Sequence, residues 1–189
     1  KGMIDTFIQV SKVECDFASF VALIEQWSQM PDFPSHWKQG AVGDGRIIAG
    51  RSNQTFDIQA VLENEDYRTH PIVKSFREIH KVIDPLITSY KEEFSIPLSF
   101  DNGWVLNRYH ESQQYVNHYD WSPHEHRTVS IVVMANTCES GGELVFTEAN
   151  MSIPAEEGNV VIFPSSFPYR HSSMPVESGI KYSLVSWLG

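Results

Sequence analysis

The sequence is poor in cysteine and has no cluster of basic residues. Its two cysteines, Cys15 and Cys138, are too few and too far apart to indicate a disulfide-stabilised scaffold. The 24 acidic and 14 basic side chains give a formal charge of −10, and no run of Lys or Arg interrupts this excess. A protein that binds nucleic acid normally replaces phosphate counterions with clustered basic side chains. The composition therefore disfavours a nucleic-acid partner.

Long apolar runs are missing as well. No segment approaches the roughly 20 apolar residues that a helix needs to cross a bilayer. The first residues, KGMIDTFIQV, also lack the apolar stretch of a signal peptide. We therefore expect a protein of the reducing cytoplasm that has no membrane segment. Its 189 residues, of which 41% are hydrophobic and 20% charged, are enough for a domain with its own core.

The first half of the chain carries the pattern of two amphipathic helices. In DFASFVALIEQWSQM the apolar side chains recur at helical spacing, and Asp16 precedes them as an N-cap. A second helix is predicted from about His70–Pro71, with a buried stripe that runs from Phe76 to Phe94. Pro85 lies inside this stretch and is expected to kink or break the helix.

From Gly103 onward the pattern changes to short β-strands. Runs rich in β-branched and aromatic residues are separated by turn sequences such as ESGG, EEGN and FPSSFP. These runs are GWVLNRYH, TVSIVVMAN, ELVF, NVVIF and KYSLVSWL. Several short strands without intervening helices are typical of an antiparallel barrel or jelly roll. The sequence thus predicts a mainly β protein with supporting α-helices in a single domain, in which residues 1–102 are mainly helical support and residues 103–189 form the core.

The segment YVNHYDWSPHEHR, from Tyr115 to Arg127, concentrates candidate metal ligands. His118 and Asp120 are two residues apart, so on an extended chain both side chains point to the same side and can reach one metal ion. Two imidazoles and one carboxylate would leave three open positions, which suits non-haem Fe(II). The HxD pair is a common pattern by itself, and a solvated polar loop is the alternative. His124 and His126 are also two residues apart and could instead form a zinc or cupin-like site.

Two residues further along the chain change this balance. His171 follows a turn, and Lys181 lies ten residues later within the last strand. With them the sequence resembles the prolyl 4-hydroxylase-like branch of the Fe(II)- and 2-oxoglutarate-dependent dioxygenases, whose motif is HxD, a distant His, and a Lys or Arg about ten residues beyond it. Four segments between roughly Trp104 and Leu188 carry the resemblance in order: NRYHESQQYVNHYD, RTVSIVVMANTCESGGELVF, IPAEEGNVVIFP and HSSMPVESGIKYSLVSW.

The resemblance implies a double-stranded β-helix core, which is a jelly-roll or cupin-like fold, and a set of cofactors. His118, Asp120 and His171 would bind Fe(II), and Lys181 would bind the distal carboxylate of 2-oxoglutarate. O2 would be the co-substrate, and ascorbate is a candidate reductant. Ser183 shares the strand face of Lys181 by the period of two and could add a hydroxyl to the same carboxylate.

Further positions of the cofactor and substrate pocket follow from the same resemblance. Tyr109 is a second candidate partner of 2-oxoglutarate, with a buried core tyrosine as the alternative. Tyr115 and Trp187 are expected to line the substrate pocket, with plain core packing as their alternative. A tyrosine that many relatives direct at 2-oxoglutarate falls at Met134, which leaves open which hydroxyl replaces it.

The implied activity is hydroxylation of an unactivated C–H bond with release of succinate and CO2. A prolyl residue of a peptide or protein is the favoured substrate. An oxygenase that acts on a non-prolyl small molecule is one alternative. A catalytically silent jelly-roll binding module is another, and it would be marked by a broken ligand set or a missing lysine, neither of which the sequence shows.

Overall fold

The computed structural model describes residues 2–98 and 101–189. Within these ranges the helices are α1 (Phe17–Trp27), α2 (Gln59–Leu62) and α3 (Pro71–Glu93). The strands in chain order are β1 (Gln9–Lys12), β2 (Lys38–Gln39), β3 (Gln54–Asp57), β4 (Asp101–Tyr109), β5 (Tyr115–His118), β6 (Val129–Met134), β7 (Ser140–Gly141), β8 (Leu144–Phe146), β9 (Met151–Ile153), β10 (Asn159–Pro164), β11 (His171–Ser173), β12 (Val176–Ser178) and β13 (Lys181–Leu188).

The strands form two main sheets. The larger sheet has seven strands in the order β1-β10-β6-β13-β4-β3-β2, and the smaller has four in the order β5-β11-β8-β9. A separate pair joins β12 to β7. All of these neighbours run antiparallel. The predicted mainly β fold with a jelly-roll core is confirmed, and the five strands expected after residue 103 are all present.

Side chains of the seven-stranded sheet alternate between its two faces, as the period of a strand requires. On β13, Tyr182 and Leu184 belong to an apolar cluster that also contains the buried side chains of α1 and α3. Lys181 and Ser183, on the opposite face, line a cleft between the sheets. Behind this cleft Phe146 of the small sheet meets Phe163 of the large one, with ring centroids 4.7 Å apart. The helices therefore cover one face of the large sheet, and the small sheet covers the other.

Both predicted helices are present. Asp16 caps α1 by accepting a hydrogen bond from the backbone amide of Ser19 at 3.0 Å. The break expected at Pro85 is wrong, because α3 continues through it to Glu93. Pro85 lies on the solvent-exposed side of the helix, where water can solvate the carbonyl that the proline leaves without a donor. In the described part of the chain, no helix combines the length and apolar character that crossing a bilayer demands.

The N-terminal half supplies strands as well as the predicted helical support. β1 pairs with β10, and β3 pairs with β4 from Gln54 to Asp57, so three short strands extend the large sheet. These strands were not predicted, because two to four residues are too few to show a clear period of two. Because β2 and β3 join the large sheet, the loop between them lies at the cleft, which it lines with Ala41, Val42 and Gly43.

A polar cluster ties α1 to the centre of the large sheet. Arg108 donates from Nη1 to both carboxylate oxygens of Glu25 at 2.8 Å, and the hydroxyl of Tyr182 donates to Glu25 Oε1 at 2.9 Å. Arg108 and Tyr182 are direct neighbours across β4 and β13. The cluster therefore stabilises the register of the two strands whose opposite face builds the cleft.

We expect Pro85→Ala to raise the free energy of unfolding by about 1–3 kcal/mol, because alanine restores a backbone hydrogen bond in the middle of α3 and removes the ring clash. Urea unfolding followed by far-UV circular dichroism measures the change. The matched control is Lys74→Ala, at another exposed position of α3, which should shift stability by less than about 0.5 kcal/mol. A Pro85→Ala protein no more stable than the native chain would contradict the expectation.

Candidate active site

Three side chains converge at one point of the cleft. His118 ends β5 and His171 begins β11, and the two are directly paired across these strands. Nε2 of His118 lies 3.2 Å, and Nε2 of His171 lies 3.4 Å, from Oδ1 of Asp120. All three donor atoms lie within 4.8 Å of one another. The fold thus brings together the HxD pair and the distant histidine that were singled out in the sequence.

Each imidazole is oriented by a backbone carbonyl two residues before it in the chain. Nδ1 of His118 lies 2.8 Å from the carbonyl oxygen of Val116, and Nδ1 of His171 lies 3.0 Å from that of Tyr169. A carbonyl oxygen can only accept, so Nδ1 carries the proton and donates it. Nε2 can then present its lone pair to the shared point. This arrangement is the usual one for metal-binding histidines, and the donor set fits a divalent metal such as Fe(II).

The carboxylate of Asp120 is held from behind. Its Oδ2 accepts from the hydroxyl of Ser130 at 2.6 Å and from Nε1 of Trp187 at 3.1 Å. The hydroxyl of Ser165, also fully buried, hydrogen-bonds to that of Ser130 at 2.8 Å. Because these contacts engage Oδ2, Oδ1 is the oxygen that faces the two imidazoles. The site therefore offers one carboxylate oxygen and two nitrogens.

The electrostatics of the three donors favour an ionised aspartate. Burial raises the pKa of Asp120, but the neighbouring His171 and His118 outweigh this effect and hold the pKa well below its usual range. Burial and the nearby His171 lower the pKa of His118. Burial likewise lowers the pKa of His171, yet Asp120 outweighs it and the pKa of His171 is raised. A divalent cation would compete with the proton of His171 for the same donors.

Lys181 lies in the same cleft and is only 2% exposed. Its Nζ donates to the hydroxyl of Ser173 at 2.7 Å and lies 5.0 Å from the ring centroid of Tyr109. In the ranges that the structure describes, no carboxylate comes within 4.0 Å of this nitrogen. Burial lowers the pKa of Lys181 to about 8. A buried ammonium without an anion is costly, so its environment fits a ligand that brings a carboxylate.

The hydroxyls expected near Lys181 are there, together with one that was missed. Tyr109 and Ser183 both line the cleft. Ser173 also lines it and contacts Lys181 directly, which the sequence signalled only through its position two residues after His171. Met134, where relatives carry a tyrosine, is fully buried in the apolar cluster between the sheets. Three other hydroxyls are thus available for its role.

Tyr115 and Trp187, expected in the pocket, line the cleft, and each touches a donor residue. The Tyr115 ring stacks on the His118 imidazole, with centroids 3.6 Å apart and planes 11° from parallel. The Trp187 indole donates to Asp120, as described above. The guanidinium carbon of Arg127 lies over the ring of Trp187, 3.6 Å from its centroid. These aromatic side chains therefore limit the rotation of the donors.

A charged cleft residue from the N-terminal half was also not predicted. Arg51 lies just before β3, and its guanidinium carbon is 4.5 Å from the ring centroid of Tyr115. No local motif marks it, because its place in the cleft depends on a long-range β-bridge between Arg51 and Tyr115. The whole cleft has a volume of about 250 Å³, which is enough for a small co-substrate and part of a substrate.

The competing HxH site is not formed. His124 and His126 are both exposed, and the stacked neighbour of His126 is Trp121, with ring centroids 6.3 Å apart. Across residues 2–98 and 101–189, the one group of three His, Cys, Asp or Glu side chains close enough to share a metal is His118, Asp120 and His171.

Residues 104–189 match the family model of the 2OG-Fe(II) oxygenase superfamily. This stretch contains the three converging donors and Lys181. The class of protein predicted from the sequence, a 2-oxoglutarate-dependent dioxygenase, is thereby confirmed. The superfamily implies Fe(II) and 2-oxoglutarate as cofactors. No functionally curated protein has a sequence that matches this chain.

Solved structures extend the similarity to nearly the whole chain. The viral collagen prolyl hydroxylase from Paramecium Bursaria Chlorella virus-1, as its 2OG complex, is 18% identical with a TM-score of 0.66, covering 99% of this chain and 98% of that one. A Trichoplax adhaerens prolyl hydroxylase, in complex with a peptide fragment of the hypoxia inducible factor oxygen degradation domain, is 14% identical with a TM-score of 0.72, covering 96% and 83%. A Pseudomonas putida prolyl-4-hydroxylase is 16% identical with a TM-score of 0.68, covering 96% and 92%. The fold is therefore that of the prolyl hydroxylases.

We expect Ser130→Ala to weaken divalent-metal affinity by about 10–100-fold, because Asp120 loses a hydrogen bond that orients it. Calorimetric titration with Mn(II) measures the affinity without turnover. Ser172→Ala is the matched control, since Ser172 is also buried on a strand and adjoins His171 but its hydroxyl contacts only Met174. A loss no larger in Ser130→Ala than in this control would contradict the expectation.

Proposed function

We propose that the protein hydroxylates a prolyl residue of a peptide or protein, with Fe(II) held by His118, Asp120 and His171 and with 2-oxoglutarate anchored by Lys181. One observation carries this proposal. A facial set of two imidazole nitrogens and one carboxylate oxygen shares a cleft with a buried lysine that has no carboxylate partner among the described residues. A metal ion would bind the two nitrogens and the carboxylate oxygen. A dicarboxylic acid chelated to that metal would supply the carboxylate that the buried lysine lacks.

Bound iron supplies the O2-dependent chemistry that couples oxidative decarboxylation of 2-oxoglutarate, with release of succinate and CO2, to hydroxylation of a C–H bond. The residues of the chain bind the co-substrate and orient the metal ligands. Lys181 would pair with the distal carboxylate of 2-oxoglutarate, and the hydroxyls of Tyr109, Ser173 and Ser183, which line the same cleft, would be available to bind it. Ser130 and Trp187 keep Asp120 turned toward the metal.

The walls of the cleft carry apolar as well as polar side chains. Apolar side chains from three strands line it beside the polar groups: Val132, Leu144 and Val185. Apolar walls lower the local dielectric constant and so strengthen the charge pairing of the buried Lys181. The aromatic side chains of Tyr115 and Trp187 line the cleft beside His118 and Asp120, where a substrate carbon would approach the metal.

Two features support a peptide as the substrate and proline as the target. Exposed aromatic side chains stand at the mouth of the cleft, where Tyr119 lines the opening and its ring centroid is 6.5 Å from that of Phe167. Aromatic surfaces of this kind suit apolar or proline-containing peptide segments. The structural relatives are named prolyl hydroxylases, and one of them is in complex with a peptide fragment.

The proposal is tested with the purified protein, Fe(II), 2-oxoglutarate, O2 and ascorbate. We expect proline-containing peptides to stimulate succinate formation and to gain one oxygen on proline, detected by mass spectrometry, in equal amounts. Peptides with alanine in place of proline are the controls, and His171→Ala should abolish both products because iron loses a ligand. Stimulation by non-prolyl small molecules alone, with every peptide unmodified, would overturn the prolyl assignment but keep the oxygenase.

Lys181 makes the affinity for 2-oxoglutarate dependent on pH. Its pKa of about 8 means that the ammonium form dominates below that pH and the neutral amine above it. A dicarboxylate binds the ammonium form, so affinity should fall about tenfold between pH 7 and pH 9. Calorimetric titration of the Mn(II)-loaded protein with 2-oxoglutarate measures this dependence.

Two substitutions separate the charge from the shape of this side chain. Lys181→Ala should weaken 2-oxoglutarate binding by about 2–5 kcal/mol, while Mn(II) still binds, because the distal carboxylate loses its partner. Lys181→Arg stays charged over the whole range, so any affinity it retains should not change between pH 7 and pH 9. Unchanged affinity in Lys181→Ala would exclude this residue as the anchor.

A further inference from the structure

Three Lys or Arg side chains line the cleft, and two of them have an identified or proposed anionic partner. Arg127 pairs with Glu125, whose Oε1 lies 2.9 Å from Nη2. Lys181 is assigned to 2-oxoglutarate under the proposed function. Arg51 is the third, and among the residues that the structure describes no carboxylate lies within 4.0 Å of its guanidinium.

The guanidinium of Arg51 is fixed in place by uncharged partners. Nε donates to Oδ1 of Asn53 at 3.0 Å, and Nη1 donates to the backbone carbonyl of Ala41. Asn53 is fully buried, and its amide donates in turn to Oδ1 of Asn107 at 3.1 Å. These contacts set the direction of the guanidinium before any ligand arrives, which lowers the entropic cost of binding one.

The chain makes room for this arrangement at Gly40. A Cβ atom there would lie 2.6 Å from both Nε of Arg51 and Oδ1 of Asn53, a separation too short for atoms that are not bonded. Any larger residue would therefore displace the guanidinium or its buried amide partner. The position of Arg51 thus depends on a residue without a side chain at the start of the same loop.

Arg51 lies close to the place where the substrate reacts. Its guanidinium carbon is 4.5 Å from the centroid of the Tyr115 ring, and that ring stacks directly on His118. A group bound by Arg51 is therefore one aromatic ring away from a metal donor. This separation matches a substituent on, or next to, the residue that is hydroxylated.

We propose that Arg51 is a specificity-determining residue that binds a carboxylate of the substrate beside the position of hydroxylation. The inference rests on the proposed function and narrows its substrate class to anionic molecules. A planar guanidinium can hold a carboxylate through two parallel hydrogen bonds, and the half-buried setting strengthens them. The carboxylate comes from an acidic side chain next to the target or from a C-terminus at the target residue.

The test compares matched substrates within each protein. The probes are five-residue proline peptides, acetylated and amidated at their ends, that carry Glu or Gln at each position flanking the proline. A second set has a free C-terminus at the proline, with the amidated peptide as its match, so the two sources of a carboxylate are distinguished. The readout is the ratio of kcat/KM for the anionic and neutral member of each pair, which cancels any general loss of activity.

In the native protein at least one pair should favour the anionic member by about 10–100-fold, the range expected for a charge-assisted, bidentate contact. Arg51→Gln should bring this ratio close to one, and Arg51→Lys should retain part of it. Arg46→Gln is the control, because Arg46 is an exposed cation of the same loop that pairs with Asp44 and does not line the cleft. Its ratio should equal that of the native protein.

The failure of this inference differs from the failure of the proposed function. Prolyl hydroxylation with no preference in any pair, or a preference that survives Arg51→Gln, overturns the role of Arg51 alone. If no peptide is hydroxylated, calorimetric binding of the same pairs to the protein loaded with Mn(II) and 2-oxoglutarate decides the matter. Anionic preference that is lost in Arg51→Gln supports the inference without the prolyl assignment, and absence of binding by every carboxylate probe overturns it.

Discussion

The site depends on the pairing of β5 with β11, which places His118 opposite His171. Backbone hydrogen bonds set this register, and backbone carbonyls also orient both rings. The metal-binding geometry is therefore largely a property of the main chain. Because a shift of one residue would turn a histidine to the other side of the sheet, the register cannot slip without removing a donor.

The large sheet meets a different requirement, since one of its faces packs against the helices and the other both packs against the small sheet and carries the polar groups of the cleft. The helix-facing side of β13 packs in the main core, while its other side places Lys181 and Ser183 in the cleft. Burying an ammonium works against folding, and packing on the reverse face offsets this cost. The contact of Tyr182 with Glu25 belongs to that reverse face, so the N-terminal helix stabilises the strand that carries Lys181, the proposed co-substrate anchor.

Much of the fold and of the site could be predicted from sequence, because both follow local patterns. The strands after residue 103 are rich in β-branched and aromatic residues and are bounded by turn sequences, and His118, Asp120, His171 and Lys181 have a recognisable spacing. Arg51 could not be predicted, because a long-range β-bridge to Tyr115 brings it to the cleft. The helix does not break at Pro85 for a related reason, since the cost of a proline depends on which side of the helix faces solvent.

Buried polar residues show where this chain departs from a simple jelly roll. Ser130, Ser165, Asn53 and Asn107 are buried between or beside strands where apolar residues would pack more favourably. Each of them hydrogen-bonds to another member of this group or to a charged cleft residue. They form two networks, one behind Asp120 and one behind Arg51, and both end at a group that faces the cleft. A buried polar network gives up hydrophobic stabilisation and gains a fixed geometry. Because a network of this kind lies behind Arg51 as well as behind Asp120, we infer that both side chains are positioned for a ligand.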